Sequence, residues 1–329
     1  MILIVSHPGD EHAREVLAAL HRGGHPAVMV DTAAFPLETS MVQSFNGQRL
    51  FQLNLNGQSI DLEACRVGWW RRPQQFRLQP DMSAEAAAFA YTECHEAMAG
   101  LWAALPLTWV NPPPLDEAAH HKPYQLAIAC ELGIPIPKTL ITNDPAAARR
   151  FVSELGNENT VYKTFLASEQ CWRETRILRS SEIDMLERVR LAPVIFQEFI
   201  PAIADVRVTI IGNRMFAAKI TPAPGGYAID YRMDMARADF QPTRLPRKVE
   251  NALRRFMRRL GLVYGAVDLR CQPDGDYVFL EVNPAGEWRF VEERTSQPIT
   301  QTMADLLASL SHGSTTMRVC RKRGSSKGM

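Results

Sequence analysis

Two carboxylates and one amide, gathered in the stretch from Tyr264 to Pro284, are the residues of this chain best placed to do chemistry: Asp268, Glu281 and Asn283. Asp274-Gly275 between them has the composition of a tight two-residue hairpin turn. Folding about that turn sets Asp268 directly opposite Glu281 and leaves Asn283 two residues along on the same face. Val267, Leu269, Cys271, Val278, Leu280 and Val282 take the other face. An apolar face turns inward, so this register holds two carboxylates with Cβ atoms about 5 Å apart on the open face. Carboxylates that close repel each other, and a divalent ion removes the repulsion. All-oxygen ligation by two carboxylates and an amide suits magnesium shared with phosphate oxygens. An ordinary hairpin whose acids are neutralised by Arg270 fits the same residues, and the hairpin by itself leaves both readings open.

Cations that would meet a phosphate lie elsewhere. Lys163 sits between Val161 and Phe165 on one face of a strand, so its ammonium starts from an apolar wall and needs either an anion or a route to water. Lys122 follows His120-His121 on a predicted helix, where simple exposure to solvent accounts for it more readily than for Lys163. The two histidines are adjacent, cannot present two ligands from one helical face, and are set aside as a metal site. Gln197-Glu198-Phe199-Ile200-Pro201 closes a strand just before Asp205-Val206-Arg207, and such an exit offers backbone groups to an adenine edge. Asp205, Arg207 and Thr209 share one strand face, either pairing among themselves or looking toward the open face of the hairpin. Arg232 and Arg289 are further candidates for gripping phosphate or carboxylate oxygens bidentately, or for structural pairing. Arg71 and Arg72, after Trp69-Trp70, read as a solvated rim or as a contact for an acidic peptide. There is no GxGxxG after a strand, no Walker lysine loop and no Gly-x-Ser-x-Gly elbow, so dehydrogenase and hydrolase readings lack support.

The elements that must position these residues fall into three groups. A strand at 2–6, a helix capped by Asp10 and ending at Gly23-Gly24, and a strand at Ala27–Asp31 make a βαβ opening, which favours a small parallel sheet. A polar hairpin ladder follows with Asn46-Gly47 and Asn56-Gly57 as turns, then a strand at Val67–Trp70, an alanine-rich helix from about Ser83, and a strand at Thr108–Val110. Beyond Asn111 and its three prolines comes an α+β pattern: a helix carrying Lys122, a strand entered at Thr139, a helix from Asp144 and a strand at Val161–Phe165. From Pro193 strands dominate, at Val194–Phe199, Val206–Ile211, Met215–Ile220 and the acidic hairpin, with one helix near Arg247–Leu260 and a last one from Gln297 to Leu310.

The 329 residues, 46% of them hydrophobic, suffice for two or three domains. The net charge of +1 hides a basic end: Arg318, Arg321, Lys322, Arg323 and Lys327 lie after His312 with no acid, and subtracting those five leaves the body at −4. That body gives no electrostatic case for nucleic acid. Six scattered cysteines form no CxxC pair. With no charged leader and no apolar run of about 18 residues, the expectation is a cytoplasmic protein with no membrane partner.

Taken in order, Asn111-Pro112-Pro113, Lys122, Leu132 to Pro145, Val161-Tyr162-Lys163-Thr164, Gln197 to Ile200, Asp205-Val206-Arg207, Asp230-Tyr231-Arg232 and Glu281 to Trp288 resemble the ATP-grasp superfamily from Met1 to about Leu310. Within it the chain is similar to the maturases of ribosomal peptides, the graspetide or microviridin-type macrocyclases. The resemblance implies an α/β and α+β ATP-grasp fold with a Rossmann-like pre-ATP-grasp domain. It implies boundaries at 1–112, 113–192 and 193–311, after which the Gly/Ser-rich basic composition of 312–329 reads as a disordered tail. It also implies ATP and Mg2+ as cofactors. Lys122, Lys163 and Arg232 would lie at the phosphates, Glu198 with the backbone of Phe199 and Ile200 at adenine, and Asp205 near the ribose. Asp268, Glu281 and Asn283 match the family's magnesium ligands. The reaction implied is activation of an Asp or Glu side chain of a ribosomally made precursor peptide as an acylphosphate, then capture by a Ser/Thr hydroxyl or Lys amine. Arg207 and Arg289 are the candidates for steadying that intermediate, and a homodimer fits the family. The family's glycine-rich phosphate cover has no counterpart between Gly156 and Gly212, which leaves that task to Leu166–Trp172. Two other readings stand beside this one: a ligase adding free amino acids to a carboxylate, similar to ribosomal-protein glutamate ligases, and a nucleotide-binding scaffold without turnover.

Overall fold

Four consecutive aliphatic residues at Ile2–Val5 leave a strand no polar face, so it must be covered on both sides, as in a parallel sheet. The computed structural model of the chain describes residues 1–55, 57–165, 175–225 and 231–313 and places this strand, β1 (Ile2–Val5), between two parallel neighbours. One is β2 (Ala27–Val30), reached through α1 (Glu11–Arg22), whose first turn is capped by Asp10 accepting from the amides of His12 and Ala13. Next come β3 (Thr39–Phe45), β4 (Arg49–Leu55) and β5 (Gln58–Asp61), a separate antiparallel sheet. Phe45 pairs with Arg49, so the first turn of the ladder has three residues; Asn56 of the second lies outside the described residues. β6 (Val67–Trp70), α2 (Ala84–Ala104) and β7 (Thr108–Val110) complete the parallel sheet in the order β2-β1-β6-β7.

The helix expected to carry Lys122 is broken at His121 into α3 (Pro113–His120) and α4 (Lys122–Glu131), which makes Lys122 the first residue of α4. β8 (Thr139–Thr142), α5 (Pro145–Leu155), β9 (Thr160–Lys163), β10 (Arg176–Ile177) and β11 (Val194–Glu198) build an antiparallel sheet in the order β10-β9-β11-β8. Its strand β9 stops at Lys163, short of Phe165. The third unit is β12 (Ala204–Ile211), β13 (Arg214–Thr221), β14 (Asp239–Thr243), α6 (Arg247–Leu260), β15 (Tyr264–Cys271) and β16 (Tyr277–Asn283), with strand order β14-β13-β12-β15-β16. Leu253, Phe256, Met257 and Leu260 form one stripe of α6 and pack on Val206, Val208, Ile210, Val267, Leu269, Phe279 and Val282, while Ile211, Phe216, Ala218 and Tyr264 join a second core and Asp205, Asp268 and Glu281 border a cleft.

Two helices close the chain. α7 (Arg289–Thr295), which the sequence pattern did not announce, follows the acidic hairpin, and α8 (Ile299–Ser311) returns to the N-terminal layer. There Met303, Ala304 and Leu307 share one core with Ile2, Ile4, Val16, Leu20 and Trp69. The basic tail from 314 lies outside the described residues, and among the described residues no helix is long and apolar enough to cross a membrane.

The hairpin differs from expectation in a way that cancels. The turn is a three-residue loop, Pro273-Asp274-Gly275, with the amide of Gln272 bonded to the carbonyl of Asp276 and Gly275 at φ +89°. Cys271, Arg270 and Leu269 therefore pair with Tyr277, Val278 and Phe279, one residue off the two-residue register. A bulge between Asp268 and Leu269 restores the count, and Asp268 does pair with Glu281. The faces change accordingly: Phe279 is buried in the core in place of Leu280, which turns to the open side.

Candidate active site

The acidic side of the five-stranded sheet and the sheet β10-β9-β11-β8 bound a cleft, and the side chains that line it come from both sheets, from the start of α4 and from the turn at 231–234. Lys122, Lys163, Glu198, Phe199, Ile200, Asp205, Arg232, Asp268 and Glu281 all border it, joined by Gln197, Tyr231, Arg270 and Leu280. Asp230 and the segment 166–174 lie outside the described residues.

Cross-strand register sets the electrostatics. β12 and β15 pair antiparallel with Arg207 opposite Asp268 and Asp205 opposite Arg270. Each acid meets the base across from it: Arg207 Nη1 donates to both oxygens of Asp268 at 2.9 and 2.8 Å, and Arg270 Nη1 lies 3.1 Å from Asp205 Oδ1. The expected choices, Arg270 neutralising the hairpin acids or Asp205 pairing with Arg207, are both displaced by this chequerboard. Glu281 is met from another element, by Lys122 at the start of α4, 2.5 Å away.

Burial raises the pKa of Asp268, with Arg207 opposing and Glu281 adding to the rise. Burial also acts to raise Glu281, but Lys122 and Lys163 outweigh it and bring its carboxyl down to about 2. Lys163 is pushed down to about 8, first by burial; Glu281 pulls upward, while Lys122 and Arg232 push further down. A carboxylate pair with its oxygens toward the cleft and two lysines beyond it can accept a divalent ion and an anion together, and the donor set of hard oxygens fits magnesium.

Other expected residues are used differently. The amide of Phe199 is bonded to the carbonyl of Asn159 at 2.7 Å, and the carbonyl of Ile200 accepts from Arg270 Nε. Asn283 is exposed, off the cleft lining, and its Oδ1 accepts from the amide of Ala285. Arg289 is not brought to the cleft. It begins α7, with Glu293 at 2.7 Å, Glu15 at 3.4 Å and Glu11 at 3.8 Å. Arg71 is no rim residue: it is 1% exposed, and only Arg72, paired with Glu287 at 3.0 Å, reaches water. Its burial follows from Trp69 and Trp288, whose rings flank the guanidinium. Sequence reasoning missed Tyr231 and Gln197 as cleft residues; their place inside quoted motifs was the available signal.

Residues 1–117 match a family model described as the MvdD pre-ATP grasp domain. Over 94% of its length the chain is similar to macrocyclase MdnC from Microcystis aeruginosa MRC, solved with precursor peptide MdnA, at 31% identity and a TM-score of 0.85, covering 99% of that chain. Macrocyclase MdnB from the same source is 32% identical, with a TM-score of 0.79 and coverage of 93% and 98%. ATP-grasp ligase PsnB, solved with minimal precursor, Mg and ADP, is 26% identical at a TM-score of 0.76, covering 94% and 98%. No curated protein matches the chain.

Proposed function

The chain belongs to the ATP-grasp macrocyclases that mature ribosomal peptides and is an ATP-dependent ligase; from that premise we propose that its cleft activates side-chain carboxylates of a precursor peptide and joins them to hydroxyls or amines. The observation that carries this reading is the Asp268–Glu281 pair in register across β15 and β16, backed by Arg207 and Lys122 and facing Lys163.

In this reading Lys122 and Lys163 receive the phosphates of ATP and Arg232 closes on them from the turn at 231–234. Glu198 and the strand exit at Phe199 and Ile200 take adenine, with Asp205 at the ribose. Asp268 and Glu281 would hold magnesium, which would supply charge neutralisation at the phosphates, while Asn283, turned to the amide of Ala285 off the cleft lining, stays outside that pair. Arg207, buried behind Asp268 and holding both of its oxygens, would act through that carboxylate on the reacting group. A carboxylate oxygen of the peptide bonds to the γ-phosphorus and ADP leaves. The hydroxyl or amine then attacks the acyl carbon, losing its proton, and phosphate departs. The chain's residues contribute position and charge rather than covalent chemistry. We place the protein in the cytoplasm, where ATP and the precursor are made.

The test is ADP release with magnesium-ATP and an acidic, hydroxyl-bearing precursor peptide, read with the intact mass of the peptide. Peptide-dependent ADP and loss of one water per linkage is the expected result. A gain of one residue when free amino acids are supplied favours the amino-acid ligase, and nucleotide binding without turnover favours the scaffold.

A further inference from the structure

The N-terminal sheet has a crevice at which open α/β sheets take ligands, and here the chain fills it with itself. From β1 the chain moves to β2 on one side and later to β6 on the other, so the strand order reverses between β1 and β6. Ligands of such sheets seat outside the carboxyl ends of the strands at that reversal. The residues there are Asp10 and His12 at the start of α1 and Arg71 after β6, and what they hold is the segment Ala285–Arg289.

The polar groups of that holder are largely committed. Arg71 Nη1 donates to the carbonyls of Ala285 and Gly286, both at 2.7 Å, while its Nε donates to Asp10 Oδ2 at 3.1 Å. His12 Nε2 accepts from the amides of Trp288 at 3.0 Å and Arg289 at 3.2 Å. A nitrogen that accepts carries no proton, so the proton of the neutral ring is on Nδ1, which faces Asp10 Oδ1 at 3.4 Å. On its far side the same segment meets the residue behind the cleft: the carbonyl of Glu287 accepts from Arg207 Nη2 at 3.0 Å, and Arg207 Nη1 holds Asp268, which lines the cleft. Gly286 must lack a side chain, since a Cβ there would stand 2.4 Å from Ala266 Cβ and 3.0 Å from Arg207 Nη2. Among the described residues, none before Lys122 lines the cleft, so the N-terminal layer acts on it through intermediaries, and this segment is the one that bonds directly to Arg207.

We infer that Asp10, His12 and Arg71 are positioning residues for ligation: the crevice that would bind a ligand binds the segment 285–289 and thereby fixes Arg207 and Asp268. The inference rests on the ligase reading of the cleft.

His12→Ala, His12→Gln and Arg71→Met are compared with the parent for kcat, for KM of ATP and peptide, for melting midpoint and for amide exchange at 288 and 289. His12→Ala is expected to lower kcat about 30-fold with KM for ATP held within about threefold, and His12→Gln, whose Oε1 can accept the same amides, to recover to within about fivefold of the parent. A purely structural role would lower the midpoint while sparing kcat per folded molecule, and rescue by glutamine would not appear in kcat. If Arg71→Met does not fold, the two His12 variants decide between these outcomes. A parent that turns over and His12→Ala keeping pace within about threefold, while its amides exchange at least about tenfold faster, overturns the inference alone. A parent without peptide-dependent turnover strikes down the ligase reading, and this inference with it.

Discussion

The molecule holds two charged clusters of similar residue types, one closed and one open. Asp10, His12 and Arg71 are sealed between the N-terminal sheet and the segment 285–289, and their partners are supplied by the chain. Lys122, Lys163, Asp268 and Glu281 stand at a cleft where two lysines crowd one another, and Lys163 is driven down to about 8 although Glu281 is near. Charge burial therefore serves two ends in one chain. A buried charge whose partners are built in fixes a geometry, whereas one depressed by burial and like charges stores a demand for an anion that only a ligand meets.

The open cluster is where this contrast should show most strongly. Glu281→Gln is expected to cost about 10³-fold in peptide-dependent ADP release, since it removes an ion ligand and frees Lys122 from its partner, while the urea midpoint stays close to that of the parent. A loss below about tenfold would remove Glu281 from the machinery. The closed cluster should answer in stability: Arg71→Met strips Asp10 and two carbonyls of a buried donor and is expected to lower unfolding free energy by about 3–5 kcal/mol, read by urea denaturation. Lys163→Met, by contrast, should leave stability unchanged or raised and weaken magnesium-nucleotide binding, measured by calorimetry. If both variants lose stability alike, the two clusters do not differ in kind.

Proton linkage refines the same contrast. Phosphate at Lys163 raises its pKa from about 8 back toward the ordinary lysine value, so the protonated form is the one that binds. Nucleotide affinity is then full below about pH 8 and falls as pH climbs above it, with net proton uptake on binding near about pH 8.5, seen as buffer-dependent heats. Without ligand the sign reverses. The folded state binds fewer protons than the unfolded one above about 8, so Lys163 makes stability rise with pH in that window. The smallest effect is expected at Arg289. Its three glutamates are exposed and its guanidinium lies off the cleft, so Arg289→Ala should change kcat by less than about threefold.

Much of the site was legible because its determinants are local. Alternation in β15 and β16 placed Asp268 and Glu281 together on the open face, and Asp10 announced the start of α1 by capping chemistry alone. The same logic misplaced Leu280 and Phe279, because a two-residue and a three-residue turn around Asp274-Gly275 look alike in sequence and the bulge that compensates leaves no signature. Arg71 was misread for a different reason. Nothing in Trp69-Trp70-Arg71-Arg72 says that Trp288, more than two hundred residues later, will cover one arginine and spare the next.

The pairing of Asp268 with Glu281, most of the order of helices and strands and the family could be read along the chain, while β10, β14 and α7 could not. Periodicity, caps and turn residues act over a few positions, and the ordered motifs survive without their contacts. Which base meets which acid was settled in three dimensions: Arg207 with Asp268, Arg270 with Asp205, Lys122 with Glu281, Arg71 with Asp10. A long charged side chain has many partners within reach of its stem, and the choice among them is made by the register and packing of elements distant in the chain.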